Sequence, residues 1–122
     1  MLAYTTIGTA DIEKAKAFYL AVLEDMDVSV VMDIGRLAAL GTPGGGAMLA
    51  VCIPYNEEGP SPGNGNMVSI APGSKELVDK LHAKALELGA TDDGAPGDRM
   101  DGFYGAYFRD ADGNKVCFCH FG

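Results

Sequence analysis

The side chains that most often announce chemistry are scarce in this sequence: two histidines and three cysteines among 122 residues. An odd number of cysteines does not make a disulfide framework, and they read as small buried hydrophobes. Basic residues are also few, with nine Lys and Arg against seventeen Asp and Glu, a net charge of −8. Nucleic-acid phosphates would be repelled by that balance, so a nucleic-acid partner is not expected. The acidic surface reads instead as a solubilising one. No apolar run approaches the roughly 20 residues that cross a bilayer, so no membrane partner is expected either. Met1-Leu2-Ala3-Tyr4 leads into strand-like sequence without a basic start. No signal or transit peptide is therefore expected, and the expected compartment is the cytoplasm.

What is there is a globular composition: 48% hydrophobic and 21% charged residues. A chain of this length forms one domain that buries roughly two thirds of its unfolded surface. Tyr4 to Ile7 reads as a strand, and Asp11 stands where an N-cap belongs. Ile12, Ala15, Phe18, Val22, Leu23 and Met26 recur at helical spacing and predict a helix of about four turns. Val28 to Met32, Leu37 to Leu40 and Met48 to Ile53 read as three strands. The turn Pro43-Gly44-Gly45-Gly46 lacks the Gly-Lys-Ser/Thr of a phosphate loop. Tyr55 to Asn66 has linker composition, with Gly59, Pro60, Pro62, Gly63 and Gly65.

The same order then recurs. Asn66 to Ile70 reads as a strand, and Ser74 as the N-cap of a helix striped by Leu77, Val78, Leu81, Ala85 and Leu88. Gly89 closes that helix. Thr91 to Asp101 reads as loop with room for a short strand, and Phe103 to Arg109 and Lys115 to Phe121 form a closing hairpin. A shift of 63 residues lays Tyr4 on Met67, Ile7 on Ile70 and Glu13 on Glu76, so the unit is an internal repeat. The predicted organisation is one domain, 1–122, made of modules 1–56 and 65–122 joined by the Gly/Pro-rich linker.

Two stretches carry a resemblance: Asp11-Ile12-Glu13-Lys14-Ala15-Lys16-Ala17-Phe18-Tyr19 through Val22-Leu23, and Phe108-Arg109-Asp110-Ala111-Asp112-Gly113-Asn114. With these at this distance, the chain resembles the vicinal oxygen chelate superfamily of glyoxalase I, fosfomycin and bleomycin resistance proteins and extradiol dioxygenases. The resemblance covers essentially the whole chain. It implies an α+β fold of two βαβββ modules forming a half-open, barrel-like cleft, the glyoxalase/bleomycin resistance/dihydroxybiphenyl dioxygenase-like fold, often as a homodimer. Asp110-x-Asp112-Gly113-Asn114 is no calcium loop, since such a loop has Gly at its sixth position and Glu at its twelfth. The turn carboxylates are expected to bond the hairpin backbone.

Family enzymes usually hold a divalent metal with one His in the first strand of each module and a Glu near the last strand of each. On the resemblance, those positions here are Tyr4, Met67, Cys117 and, in the first module, Ala50 or Cys52. None carries His or Glu. A Lewis-acid site needs three or four fixed ligands, and magnesium, manganese or nickel wants oxygen and imidazole donors. His82, beside the second helix's stripe, and His120, of opposite parity to Cys117, read as structural. Cys117 and Cys119 share a strand face, but alternate residues of a flat strand stand ~6.5–7 Å apart, too far for the usual zinc thiolate pair.

The expectation is a metal-free and cofactor-free cleft lined by Tyr4, Cys52, Met67, Tyr104, Tyr107 and Cys117, with a small-molecule ligand as partner and no catalytic residue assigned. The alternatives are a metal-dependent lyase, isomerase or dioxygenase of the same superfamily, and a non-enzymatic dimeric module.

Overall fold

The computed structural model describes residues 1–122. The elements run β1 (Tyr4–Gly8), α1 (Ile12–Val22), β2 (Ser29–Asp33), β3 (Leu37–Gly41), β4 (Met48–Cys52), β5 (Val68–Ile70), α2 (Lys75–Glu87), β6 (Thr91–Met100), β7 (Phe103–Arg109) and β8 (Lys115–Phe121). The chain divides into two compact units, Met1–Pro62 and Gly63–Gly122, each a βαβββ repeat in an α+β fold. No helix is long and apolar enough to cross a membrane.

In the first unit the strand order is β1-β4-β3-β2. β1 runs parallel to β4, as the α1 crossover requires, while β2, β3 and β4 pair antiparallel. Asp11 caps α1 as expected, its carboxylate accepting from the Lys14 amide at 3.1 Å. The helix is shorter than its apolar stripe suggested. It ends at Val22 and passes into a 3-10 turn, Glu24–Met26, closed by Asp27 in the left-handed region at φ 56°. Acidic Glu24 and Asp25 sit where a helix C-terminus disfavours negative charge, which accounts for the early stop. Tyr19, Val22 and Leu23, rather than Phe18, are fully buried, and α1 packs on β3 and β4. Ile7, Ala38, Leu40, Leu49 and Val51 are buried at alternate strand positions and form the helix-facing side. Lys16 bridges Glu13 at 3.0 Å and Asp33 at 2.8 Å, tying α1 to the end of β2.

The second unit repeats the plan with order β5-β8-β7-β6 and the same parallel and antiparallel pairings. Ser74 Oγ caps α2 by accepting from Leu77 N at 3.2 Å. Gly89, at φ 106°, ends it in a Schellman turn: Gly89 N donates to Leu86 O and Ala90 N to Ala85 O. Val78, Leu81, His82 and Ala85 of α2 are buried, and α2 packs on β6, β7 and β8, whose Phe108, Val116 and Phe118 are fully buried. Each such side chain contributes ~1.5–3 kcal/mol of apolar burial.

Thr91 to Asp101, read as loop with room for a short strand, is for most of its length a ten-residue strand. Its Gly and Pro content does not prevent pairing but breaks the register with β7 at three places, between Asp92 and Gly94, Gly94 and Gly97, and Asp98 and Met100. Such bulges are where an edge strand tolerates Gly94, Pro96 and Gly97. The closing hairpin follows expectation. Asp110 Oδ1 accepts from the amides of Asp112 and Asn114 at 2.9 Å each, and Gly113 N donates to Asp110 O. Gly113 takes the positive φ, 87°, while Asn114 works through its side chain, which donates to Asp110 Oδ2 at 3.0 Å.

Candidate functional site

Each sheet has one face under its helix and one turned away, called here the far face. Strand parity assigns every residue to one or the other. In the first unit the pairs Tyr4–Met48, Thr6–Ala50 and Gly8–Cys52 lie on the far face with Leu37 and Ala39. Leu37, Ala39 and Ala50 are buried there and pack with Met48 and Cys52. Tyr4 lies at one end of this face, half exposed at 53%, and Cys52 at the other. The structure thus places both residues on the expected face without bringing them together.

The register also decides between Ala50 and Cys52. Thr6 pairs with Ala50 as Ser69, 63 residues on, pairs with Cys117. The counterpart of Cys117 in the first unit is therefore Ala50, and the counterpart of Tyr107, which pairs with Cys117, is Ala39, which pairs with Ala50.

In the second unit the far face carries Ser69, Gly105, Tyr107, Lys115, Cys117 and Cys119. Tyr107 and Cys117 are cross-strand partners whose side chains interact. Ser69 Oγ lies 3.4 Å from Cys119 Sγ. Burial pushes the Cys117 thiol up, against the opposing bond from Ser69, so it is held in its protonated, unreactive form. Burial, and next Cys117, likewise raises the Tyr107 phenol, leaving it a hydrogen-bonding hydroxyl.

Tyr107 is also where charge gathers. The Arg99 guanidinium carbon and the Lys115 ammonium each lie 5.2 Å from its ring centroid, within cation–π range. Arg99 donates to the Ala95 carbonyl, Lys115 reaches Asp93 at 3.5 Å, and Arg109 reaches the same carboxylate at 3.2 Å.

Two of the expected lining residues belong elsewhere. Tyr104 has the opposite parity to Tyr107 and lies on the helix side, donating to Asp79 of α2 at 2.5 Å with Lys75 5.5 Å above its ring. Its phenol is raised chiefly by that carboxylate. The two tyrosines stand three positions apart, an odd number, so one strand cannot present both to one ligand. Met67 stands before β5 begins and is exposed, so the first-strand register of the repeat is not kept at that position.

The histidines serve the frame. His82 is buried, with Nε2 3.0 Å from Tyr107 O and 3.2 Å from Asp92 Oδ1. Both partners are acceptors, so Nε2 carries a hydrogen, and the ring ties α2 to β6 and β7. His120 pairs with Tyr104 on the helix side of β8.

The residues do not fit the divalent metal that the family resemblance implies. At the corresponding positions stand a phenol, a thioether, the methyl of Ala50 and a buried thiol held protonated. No three His, Cys, Asp or Glu side chains converge as a ligand group. A hard divalent ion needs several oxygen or imidazole donors, and this set offers one phenol oxygen and no carboxylate or imidazole.

Arg99, Lys115 and Ser69 were not among the residues expected at the site. Parity with Cys117 would have found Lys115, and pairing through the repeat would have found Ser69. Arg99 had no parity to read, because its stretch looked like loop.

Comparison with known proteins places this geometry. The Glyoxalase/Bleomycin resistance protein/Dioxygenase superfamily model matches residues 1–118. A crystal structure of a glyoxalase/bleomycin resistance protein from Albidiferax ferrireducens T118 is 31% identical over 100% of this chain and 99% of its own, with TM-score 0.90. A glyoxalase/bleomycin resistance protein/dioxygenase family enzyme from Burkholderia phytofirmans PsJN is 23% identical over 98% of each chain, with TM-score 0.81. A glyoxalase-related enzyme from Fulvimarina pelagi is 18% identical over 98% of this chain and 86% of its own, with TM-score 0.76. The last two show the fold alone. No curated protein sequence matches the chain.

Proposed function

As the chain belongs to the Glyoxalase/Bleomycin resistance protein/Dioxygenase superfamily, we propose that it binds a small organic molecule without a resident metal ion, on the far face of its second sheet. The observation that carries this reading is the Tyr107–Cys117 pair. A half-buried aromatic with a hydroxyl stands over a protonated thiol, and charged groups gather around its ring. An apolar wall with few polar groups is what a small-molecule site needs. The donor set, by contrast, gives a hard divalent ion no carboxylate or imidazole. Sequestration and metal-free transformation both start from this binding step.

The reading is tested by metal analysis of dialysed protein together with a small-molecule screen for thermal stabilisation. At least one compound should raise the melting temperature and shift the Tyr107 and Gly105 resonances. Stoichiometric divalent metal that survives dialysis would overturn the metal-free reading.

The same reading includes a cytoplasmic homodimer. Free thiols at Cys52, Cys117 and Cys119 suit a reducing compartment. β2 is an edge strand whose Val30, Val31 and Met32 are exposed, followed by Ile34 at 61%. An apolar edge of this kind favours a partner. Sedimentation should give twice the mass of one chain, and Val31→Lys should shift the protein toward monomer. A wild-type monomer at all concentrations would remove the dimer from the reading.

A further inference from the structure

We infer that the ligand of this face is a small planar organic anion, its carboxylate taken by Arg99 beside the ring of Tyr107. The inference rests on the binding reading above and adds the chemical class.

Its first support is how charge is sorted. The chain has nearly twice as many acids as bases, seventeen to nine. Yet Arg99, Arg109 and Lys115 gather on one side of one sheet, where Asp93 is the acid that meets Arg109 and Lys115. The other acids of β6 turn elsewhere. Asp92 goes to His82, and Asp98 pairs in register with Tyr104 on the helix side. The bulges of β6 make this sorting, because each register shift resets which face the next residue takes.

The second support is Arg99 itself. Arg109 and Lys115 share Asp93, but Arg99 touches the Ala95 carbonyl and Tyr107 and meets no carboxylate. A guanidinium left without an acid in a strongly acidic chain keeps its remaining donors for something else. Lys115, the other cation at the ring, has Asp93 at 3.5 Å, so the Arg99 charge is the one a ligand carboxylate would answer.

The third support is that the guanidinium has a built seat. A Cβ at Gly97 would lie 3.1 Å from Arg99 Nη1, and one at Gly94 would lie 3.3 Å from Nη2 and 2.8 Å from Tyr107 Cδ2. Absence of side chains at these two positions lets Arg99 lie flat on the sheet beside the ring. The Ala95 carbonyl then fixes one of its nitrogens. A planar fork so held matches a carboxylate edge-on, and Tyr107 offers a flat surface and a hydroxyl for the rest of a planar molecule.

The test uses the full chain and two isosteric probes, benzoate and benzamide, titrated at low salt and followed by NMR. Benzoate should saturably shift the Arg99 side chain and the Tyr107 and Gly105 amides, and bind at least about tenfold more tightly than benzamide. Arg99→Gln should bring benzoate down to the benzamide level, whereas Arg36→Gln, on the first unit, should leave it unchanged. A folded spectrum for each variant guards against trivial loss. Equal binding of the two probes, or full benzoate affinity in Arg99→Gln, overturns the anion and leaves the small-molecule reading standing. Binding by inorganic phosphate as tight as benzoate overturns the planar organic class in favour of a bare anion site. If neither probe shifts these resonances, the inference fails. The broader reading falls only if the compound screen also finds nothing on this face.

Discussion

The far faces of the two sheets start from the same repeat and end as different surfaces. In the first unit, Ala39 and Ala50 stand opposite each other and are buried with Leu37, Met48 and Cys52 in a small apolar cluster. In the second, the equivalent positions hold Tyr107 and Cys117, with Arg99 and Lys115 drawn over the tyrosine ring. The helix-facing sides differ far less: Val22 and Leu23 against Leu40 and Val51 in one unit, Val78 and Leu81 against Phe108 and Phe118 in the other. A repeat of this kind needs its helix side to fold, and only the far face is free to diverge. Two alanines and a Tyr–Cys pair are compatible with the same backbone, but only the second offers hydrogen bonds and a flat surface to a ligand.

That comparison breaks most easily at Phe108. It is fully buried on the helix side, tilted against Phe118 at 5.6 Å between ring centroids. Phe108→Ala should cost about 3–5 kcal/mol in denaturant unfolding. Tyr107→Ala, one residue away on the half-buried far face, should cost clearly less while abolishing ligand shifts at Gly105. Equal costs would mean that the far face of the second unit is core, and the contrast with its helix side would be lost.

Ala50 comes next in size. It has no exposed surface, and Leu would force three further carbons into the Leu37–Ala39 cluster. The expected cost of Ala50→Leu is about 1–3 kcal/mol. A neutral or stabilising result would show room on the first far face and would weaken the claim that only the second is suited to a ligand.

Much of this was readable beforehand, and the misses have physical causes. Caps and turns were legible because each depends on one local interaction: Asp11 and Ser74 on an amide three residues on, Gly89 on its positive φ, Asp110 on the turn amides it accepts from. The repeat and the order of its elements along the chain were legible from periodicity and the 63-residue shift, while the order of strands within each sheet was not. β6 was not, because bulges spend glycine and proline as loops do, and pairing with β7 is a long-range fact. Arg99 was hidden with it. Tyr104 was misplaced although parity alone separates it from Tyr107. At Met67 the repeat shift was carried one residue beyond the strand that supports it.

The cysteines sharpen the contrast by rate. Cys52 is partly exposed, Cys117 has no exposed surface and Cys119 is 3% exposed. A thiol reagent at mild pH should modify Cys52 first and reach the other two only as the protein opens. Burial raises the Cys117 thiol and so lowers its thiolate fraction, which slows it further. If Cys117 reacts as fast as Cys52, the second far face is open down to its strand, and a ligand contacts sulfur as well as the Tyr107 ring.

The smallest expected effect compares one surface carboxylate from each unit. Asp33 is held below the ordinary 3.8 chiefly by the Lys16 ammonium, and Asp92 chiefly by the Gly94 amide, with His82 a lesser cause. A carboxyl whose folded pKa is depressed contributes stability that is present above its unfolded value and lost as pH falls through the folded one. Asp33→Asn and Asp92→Asn should therefore each lower the unfolding midpoint at pH 7 and make less difference near pH 3, where the wild-type carboxylates are being protonated. Salt separates them. Asp33 answers to a full charge at an exposed pair, so added salt should erase much of its effect. Asp92 is held first by a backbone dipole in the bulge that redirects β6, so its effect should persist in salt. Equal salt sensitivity would mean that Asp92 acts through His82 after all, and that a charge rather than the Gly94 turn holds this part of the bulge in place.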